Sequence, residues 1–372
     1  MENIYIGMDL HKKTSSFCVM EKDGNILVER TVKTIPEEVR SFILSLGKGR
    51  IINLVMEPLS QWYFYADFIE NLGVKVTLAH PLRVKAIAAA KIKTDKIDAQ
   101  TLAHLLRANL IPTAYHAPKQ VRDWKELSRG RGSLVNLRTQ VKNKIHGILF
   151  RNALVYPRTT LFSKQGRKWM DSLELNHIFK AHLSANLAML DSLTKQILIL
   201  EKKIKETVVE NKEMSLLQTI PGINFVTAIM IMSEIGDIKR FPNERKLHSY
   251  AGLVPTVRSS GGITTRGHIS KQGSSFLRYI MIQTAQHQRM LKRAVGLKWF
   301  YDRMLLKNKN SKTAVVATAR KLLTVVFKVL SEGRAFEERL PKTSSIISPI
   351  SGACAKYRLG RTRELRYLGA YR

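Results

Sequence analysis

Four acidic residues are placed so that their carboxylates could converge on a divalent cation. Asp9 ends the apolar stretch IYIGMD, and Glu57 ends the similar stretch NLVME. Asp95 and Asp98 lie three residues apart at the predicted start of a helix, so they share one helical face. Carboxylate oxygens suit Mg²⁺, which keeps positions open for water and phosphate oxygens. The pattern predicts a Mg²⁺ site for phosphoryl chemistry, in which bound ions stabilise the attacking and leaving oxygens.

Each of these acids also has a purely structural interpretation. Asp95 could act only as a helix N-cap, and Asp98 could be a solvated carboxylate on a helix face. Other acids nearby look structural, since Asp67 and Glu70 fall on an amphipathic helix as ordinary surface charges. The combination of the four positions with the strand and helix order is what favours the metal site.

The segment RSSGG, residues 258–262, is a second candidate for chemistry. Serine- and glycine-rich segments are usually turns, and residues 251–275 read as a loop. This one is crowded by basic residues, namely Arg258, Arg266, His268 and Lys271. A serine hydroxyl there could attack phosphorus to give a covalent phosphoserine. The residues alone do not distinguish Ser259 from Ser260.

Charge indicates the partner. The 372 residues include 62 Lys and Arg against 29 Asp and Glu, a formal net charge of +33. Such an excess repels itself unless a polyanion neutralises it, so nucleic acid is the expected partner and a membrane surface only a weak second. Residues 118–168 hold 13 basic residues and two acids. The helix predicted over 120–150 places the expected phosphate contacts on one face, and these are Arg129, Arg131, Arg138, Lys142 and Lys144.

Composition excludes several other classes of protein. With 44% apolar residues the chain can bury ordinary cores, which excludes wholesale disorder. Cys18 and Cys354 are the only cysteines and neither lies in a Cys/His cluster, which excludes a disulfide scaffold and disfavours a zinc finger. The sequence shows no long apolar stretch and no signal-peptide pattern at its start, so we expect a cytoplasmic protein without a membrane segment.

The elements that must position the acids follow the order βββ-α-β-α-β-α. Alternating apolar stretches predict strands, and helices are predicted after Pro36, near 61–71 and from Thr94 onward. The predicted strands cover residues 3–9, 15–20, 26–32, 51–57 and 74–79. Antiparallel strands followed by parallel ones predict an α/β N-terminal domain with a mixed sheet and flanking helices.

The rest of the chain reads as mainly helical. Apolar residues recur every three or four positions over 183–208, a seam that fits either a dimerising coiled coil or a helix packed within its own chain. Two short helices are predicted around Pro221-Gly222, and two longer ones at about 275–290 and 312–331. The predicted domains are 1–160 with the acids and the basic helix, 161–212 with the seam, 213–331 with the serine segment, and a basic tail over 332–372.

Two sets of motifs resemble one known family. GMDLHK (7–12), VMEPLS (55–60) and KTDKIDAQTLAHLL (93–106) resemble the three acidic blocks of the DEDD-type transposases of bacterial insertion sequences, which are recombinases guided by a structured bridge RNA. The C-terminal transposase domain of that family is similar to residues 219–236, 241–273 and 276–285. The resemblance covers roughly residues 3–290. Pro58 departs from the small residue more common there.

The resemblance implies a ribonuclease-H-like N-terminal domain related to Holliday-junction resolvases. It implies that Ser260, which precedes the glycines, is the nucleophile, with Ser259 as the fallback. It further implies double-stranded donor and target DNA, a guide RNA, Mg²⁺ and a homo-oligomer, a dimer or tetramer, in which the acidic domain of one protomer works with the serine domain of another. The seam at 183–208 would then supply a dimer contact.

Two rival functions fit part of the sequence. A metal-dependent nuclease of the resolvase type would need only the acids and would leave no covalent protein–DNA adduct. A non-catalytic RNA- or DNA-binding protein would need only the basic surfaces. The serine segment together with the four acids favours the transposase.

Overall fold

The computed structural model describes residues 2–47, 49–59, 61–88, 94–208, 211–288, 290–291 and 295–338. The chain divides into two compact units, Met1–Pro118 and Lys119–Arg372. The predicted domain bounds at 160, 212 and 331 stay predictions, and most of the predicted basic tail, 339–372, lies outside the described residues. Within the described ranges no helix is both long and apolar enough to span a lipid bilayer.

The N-terminal unit contains a five-stranded mixed sheet, which confirms the predicted N-terminal architecture. The strands are β1 (Asn3–Leu10), β2 (Thr14–Met20), β3 (Ile26–Lys33), β4 (Ile51–Met56) and β5 (Lys75–Leu78). Their order across the sheet is β3-β2-β1-β4-β5. The first three strands pair antiparallel, whereas β1, β4 and β5 run parallel. The carboxyl ends of β1 and β4 therefore lie side by side at one edge of the sheet.

Four helices cover this sheet: α1 (Pro36–Ser45), α2 (Trp62–Glu70), α3 (Pro81–Ile87) and α4 (Asp95–Arg107). Alternation along β1 separates two faces. Even-numbered residues such as Ile6 and Met8 are buried in a core with α1 and α2. On the opposite face, Ala99 and Ala103 of α4 pack in a small core with β2. α3 was not predicted, because seven residues beginning at Pro81 carry too short a pattern.

The C-terminal unit is mostly helical. Its helices are α5 (Lys119–Arg151), α6 (Lys164–Asp171), α7 (His177–Thr207), α8 (Lys212–Gln218), α9 (Phe225–Ile235), a 3₁₀ turn (Ile238–Arg240), α10 (Glu244–Tyr250), α11 (Ser275–Gln288), α12 (Val295–Asn308) and α13 (Ser311–Glu332). Asparagine side chains cap several of them, for example Asn224 on α9 and Asn310 on α13. The helix pair predicted around Pro221-Gly222 is present as α8 and α9.

The apolar seam lies on α7 and is buried within its own chain. Leu183, Leu187 and Leu190 pack in one core with Val141 and Ile145 of α5. Farther along, Ile204 packs in the main core of this unit. Of the two alternatives for the seam, internal packing is the one that the structure describes. Leu183, Leu187 and Leu190 are therefore covered within their own chain, and a dimer contact through the seam stays a prediction.

The loop predicted over 251–275 contains a β-hairpin instead. β6 (Pro255–Ser260) and β7 (Ile263–Ile269) pair antiparallel and form a separate two-stranded sheet. Gly261 and Gly262 make the turn with φ angles of +56° and +79°. Two central residues with positive φ make the tight turn whose twist matches the flanking strands, and glycine adopts it without strain.

Candidate active site: an acidic cluster and a serine hairpin

Asp9 stands near the carboxyl end of β1, on the sheet face that α4 covers. The residue is only 7% exposed. Two positions earlier on the same face, Gly7 lies directly under α4, where an added Cβ would come within 1.9 Å of the Ala99 carbonyl oxygen. Because glycine has no side chain, the α4 backbone can approach the sheet closely. This approach brings the first turn of α4 to the level of Asp9.

Asp9 and Asp95 are joined through His11. The His11 Nε2 atom lies 3.0 Å from Asp9 Oδ2 and 3.6 Å from Asp95 Oδ1. Burial raises the pKa of the Asp9 carboxyl, the imidazole of His11 opposes that rise, and the negative charges of Asp95 and Asp98 add to it. Clustered carboxylates of this kind favour a bound cation, because a cation would relieve both the burial and the mutual repulsion.

Asp95 and Asp98 occupy the first turn of α4, as the sequence predicted. The N-cap is Thr94, whose Oγ1 accepts a hydrogen bond from the Ile97 amide at 3.3 Å. Asp95 is therefore not the N-cap residue. Its side chain is 59% exposed, which leaves its carboxylate accessible.

Glu57 follows β4 directly. In the parallel pairing of β1 with β4, Met8 lies opposite Met56. Asp9 and Glu57 each follow directly after this pair, so they lie at corresponding positions of the neighbouring chains. The residue is half-buried and its carbonyl accepts a hydrogen bond from the Leu59 amide at 2.9 Å. The structure thus places Asp9, Asp95 and Asp98 together, with Glu57 beside them at the same edge of the sheet.

These residues fit a divalent cation. Asp9, His11 and Asp95 each offer one ligand atom, and the three atoms lie within 4.8 Å of one another. The sequence analysis did not assign His11 a role. Strand alternation could not have placed it, because β1 ends at Leu10 and His11 is the first residue beyond the strand.

A second group of potential ligands lies on α2 and near the end of this unit. Asp67, Glu70 and His116 offer atoms within 4.8 Å of one another, and His116 Nδ1 is 3.5 Å from Glu70 Oε1. The ring of His116 also packs edge-on against Trp62 at 5.4 Å. Asp67 and Glu70 were interpreted as surface charges, and the ion pair and ring contact are structural interactions of that kind.

Ser259 and Ser260 end β6 at the tip of the hairpin, and both are exposed. Neighbouring residues of a strand point to opposite faces, so the two hydroxyls differ in surroundings. Ser259 Oγ lies 3.3 Å from Thr264 Oγ1 across the hairpin. Ser260 is paired in register with Ile263, and its hydroxyl has no hydrogen-bond partner among the described residues. Of the two, Ser260 carries the hydroxyl that is open to a substrate.

Arg258 shares the face of β6 that carries Ser260. It is exposed, and no carboxylate of the described part of the chain pairs with it. Lys271 follows the hairpin with a φ of +54°. Arg266 belongs to β7, but its side chain lies outside what the structure describes.

The basic residues predicted on α5 differ in their contacts. Arg129 Nε donates to Glu234 Oε1 at 2.8 Å, and Arg131 donates to Glu201 at 2.7 Å. Glu234 is fully buried, so Arg129 neutralises a charge inside its own unit. The sequence could not reveal these pairs, because the partners lie 105 and 70 positions apart.

The remaining three basic residues of that face are not ion-paired within the described chain. Lys144 is exposed, Arg138 is half-buried, and Lys142 Nζ lies 4.8 Å above the Phe162 ring. Burial, and then the charge of Arg138, lower the pKa of Lys142. Arg138 and Lys144 are therefore the residues of this set best placed to meet a phosphate.

Comparison with known proteins gives the family. A model of the DEDD transposase domain of the IS110 type matches residues 6–151, and the model described as "Transposase IS116/IS110/IS902 family" matches residues 214–300. The chain is 27% identical to the transposase of insertion sequence element IS1328 from Yersinia enterocolitica, over 90% of this chain and 98% of the relative. This chain belongs to the DEDD-type transposases of insertion sequences.

Other relatives extend the comparison. The transposase of IS1111A from Coxiella burnetii is 25% identical, over 89% of this chain and 90% of the relative. A pilin gene-inverting protein from Moraxella bovis is 26% identical, over 91% of this chain and 99% of the relative. As a member of this family, the protein is a DNA transposase, an enzyme that cuts and rejoins DNA.

The two family matches divide the candidate chemistry of the transposase between them. Residues 6–151 contain all four acids and the basic face of α5, and residues 214–300 contain the serine hairpin. A DEDD domain and the carboxylates around Asp9 point to use of a divalent metal ion.

Proposed function

We propose that this transposase breaks and rejoins DNA strands through a phosphoserine intermediate on Ser260, with Mg²⁺ held by Asp9, Glu57, Asp95 and Asp98. The observation that carries the proposal is the position of the Ser260 hydroxyl. It stands at the tip of an exposed hairpin, beside a glycine turn that lets a DNA backbone approach, and without a partner among the described residues.

The chemistry is a pair of transesterifications. The Ser260 oxygen loses its proton and forms a bond to the scissile phosphorus, while the bond from phosphorus to the 3′ oxygen breaks and leaves a free 3′ hydroxyl. Attack of a 3′ hydroxyl of another strand on the phosphoserine then reverses these bond changes. The number of phosphodiester bonds is conserved, so no nucleotide cofactor is needed. Arg258, on the Ser260 face, would stabilise charge on the phosphate.

The acidic cluster has a distinct part in this proposal. Bound Mg²⁺ would polarise the scissile phosphate and stabilise the leaving 3′ oxygen. Asp9 supplies a carboxylate that burial keeps out of bulk water, and His11 orients it by the 3.0 Å contact to Oδ2. Glu57, Asp95 and Asp98 supply oxygen ligands that suit Mg²⁺ better than a softer metal.

The wider assignment follows from the family. We assign the N-terminal unit to the ribonuclease-H-like folds, which its strand order and its mixture of antiparallel and parallel pairs support. A structured guide RNA, donor and target DNA as substrates, and action as a homo-oligomer are part of the same proposal. The charge of +33 supports nucleic-acid partners. A relative named for gene inversion supports recombination rather than simple hydrolysis.

The test is to trap the covalent intermediate. The full chain, purified with its bound nucleic acid, is incubated with Mg²⁺ and DNA from the ends of its own element, nicked so that religation fails. We expect protein joined to a DNA end, with peptide mapping placing the adduct on Ser260. Sequencing the co-purified RNA tests the guide, because one defined structured RNA supports it and random cellular RNA contradicts it.

Matched substitutions separate the two serines and the rival nuclease. Ser260→Ala removes the attacking oxygen, so cleavage and adduct should vanish together, whereas Ser259→Ala should keep both. An adduct on Ser259 would move the assignment by one residue. If a metal-activated water attacks the phosphate instead, the opposite result is expected. The protein with both Ser259→Ala and Ser260→Ala should then still cut DNA, and no adduct should form. That outcome would replace the transposition mechanism with hydrolysis.

A further inference from the structure

A basic cavity of about 830 Å³ lies at the base of the serine hairpin. Its walls come from α10, from α13 and from the ends of β6 and β7 that are farthest from the turn. Apolar side chains such as Leu253 and Val316 form part of the wall. Four cationic side chains also line it, namely Lys271, Lys312, Arg320 and Lys321, together with one acidic side chain, Glu244.

The four cations of this cavity have no carboxylate partner in the described part of the chain. Among the described residues no carboxylate oxygen lies within 4.0 Å of their side-chain nitrogens, and this includes Glu244. Four positive groups around one cavity repel one another unless an anion joins them. Elsewhere in the same unit, cations such as Arg129 and Arg131 do have acidic partners. The cavity thus fits a negatively charged group, which the described residues do not supply.

Arg320 is held in place by a buried histidine. Its Nε atom donates to His248 Nδ1 at 3.4 Å, and the other ring nitrogen of His248 donates to Thr324 Oγ1 at 3.1 Å. His248 is 3% exposed, and burial followed by the charge of Arg320 lowers its pKa to about 4. A neutral ring can accept this bond. Arg320 is exposed, and its two terminal nitrogens have no hydrogen-bond partner among the described residues, so they could bind two phosphate oxygens.

We propose that this cavity binds a backbone phosphate of the DNA strand that Ser260 attacks. Pro255 lines the cavity and Ser260 lies five residues farther along β6, a distance of about 17 Å at roughly 3.3 Å per residue. A duplex strand carries one phosphate per about 3.4 Å of helix axis, so the bound phosphate lies about five nucleotides from the scissile one. DNA is the occupant, because the hairpin that forms part of the wall also carries the serine that attacks DNA.

This inference rests on the proposed function for the identity of the strand, but its test does not depend on cleavage. The full-length Ser260→Ala protein is acetylated at lysine with and without a short duplex of element-end DNA, and the modified positions are measured by mass spectrometry. We expect several-fold protection of Lys271, Lys312 and Lys321. Lys307, an exposed lysine of α12 outside the cavity, is the matched control and should react equally in both samples.

A second measurement counts the contacts. Replacing both Arg320 and Lys321 by Gln should weaken DNA binding and lower the slope of log affinity against log salt by about 1.8, since each phosphate contact contributes about 0.9. Lys307→Gln should leave the slope unchanged. Circular dichroism of each variant reports whether the fold is retained.

The outcomes separate this inference from the proposed function. Equal acetylation with and without DNA, or protection by duplex RNA alone, would overturn the phosphate site even if an adduct forms on Ser260. Conversely, protection together with cleavage by the Ser260→Ala protein would keep the phosphate site and remove the serine mechanism.

Discussion

Gly7 of β1 and Ala99 of α4 lie so close that no side chain fits between them. An added Cβ on Gly7 would come within 1.9 Å of the Ala99 carbonyl oxygen and within 2.6 Å of the Ala103 amide nitrogen. Both are backbone atoms, which cannot turn aside as a flexible side chain could. The contact sets the height of α4 above the sheet, and so sets where Asp95 stands relative to Asp9.

Gly7→Ala should therefore disturb the geometry of the acidic cluster, although Gly7 is not one of its residues. Overpacking of this kind costs about 1–3 kcal/mol or more, and here α4 has to move. We expect faster amide hydrogen exchange in α4 and loss of DNA cleavage. Gly130→Ala on α5 is the matched control, since its Cβ would meet only Leu200 Cδ1 at 4.0 Å. Unchanged exchange in α4 of Gly7→Ala would show that the helix is not held by this contact.

Asp9→Asn should abolish DNA cleavage in Mg²⁺ while nucleic-acid binding stays nearly intact. The amide keeps the shape of the side chain but removes the charge that the cation requires. Cleavage and gel-shift assays on the full chain measure the two properties. Asp23→Asn, in an exposed turn of the same unit, is the control and should cut normally. Full cleavage by Asp9→Asn would rule out the metal site.

Substitutions of the basic residues on α5 should have two different effects, one on nucleic-acid binding and one on stability. Arg138→Gln with Lys144→Gln should weaken binding to any sequence and flatten the salt dependence by about 1.4–1.8, at 0.7–0.9 per contact. The thermal midpoint should barely change, because neither residue pairs with an acid in the described chain. Unaltered affinity and salt slope would show that this face does not bind nucleic acid.

Arg129→Gln, on the same helix, should instead act on stability. It weakens the neutralisation of Glu234, which is fully buried and accepts hydrogen bonds from Arg129 and Ser274. Lys125 remains 3.6 Å away as a second cation. We expect a loss of about 1–3 kcal/mol of unfolding free energy, measured by urea denaturation. A stability equal to that of the unmodified chain would mean that Lys125 alone neutralises Glu234.

Acid should loosen the contact between α10 and α13 through His248. The pKa of this histidine is lowered from 6.5 to about 4, chiefly by burial and then by Arg320, with Glu244 acting in the opposite direction. The unfolded chain therefore binds a proton before the folded one, so stability is full above about pH 6.5 and falls as the pH drops toward 4. The loss reaches about 3 kcal/mol at most, at 1.36 kcal/mol per pKa unit.

Hydrogen exchange of α10 and α13 at pH 6.5 and 4.5 measures this effect, with rates corrected for the intrinsic pH dependence. His248→Gln keeps an acceptor for Arg320 and a donor for Thr324 but does not titrate, so its protection should change less between the two pH values. Equal changes in the two proteins would show that other groups control the acid response.

The sequence could predict the sheet because its signals are local. Each strand shows an apolar stretch between turn residues, and Pro36 and Thr94 mark helix starts that the structure contains. The Arg129–Glu234 pair was beyond sequence analysis, since its partners meet only after α5 packs on α9. The spacing of apolar residues on α7 correctly predicted that this side of the helix is packed against another element. Spacing alone cannot say whether that element belongs to the same chain.

Helix α12 and the hairpin were missed for different reasons. α12 was not predicted because its apolar residues do not form one clear stripe, and few of them, such as Leu297 and Tyr301, are buried. The hairpin was missed although its signal was present, since the pair Gly261-Gly262 is typical of a two-residue turn and is followed by the β-branched residues Ile263, Thr264 and Thr265. The serine- and glycine-rich composition of the segment favoured a loop, although a glycine pair also suits a tight turn between two strands.

The hairpin has a consequence for when the enzyme can act. From Thr256 to Ser260 every residue of β6 is exposed, and among the described residues its only strand partner is β7. A lone two-stranded ribbon is marginally stable in water, so little free energy fixes the serine tip before substrate arrives. Contact with a DNA backbone would order the hairpin. The conformational entropy that the hairpin loses on ordering would lower the observed affinity for DNA. If Ser260 is the nucleophile, strand breakage would then be coupled to complete engagement of the DNA, because a chance encounter with chromosomal DNA would leave the serine unaligned.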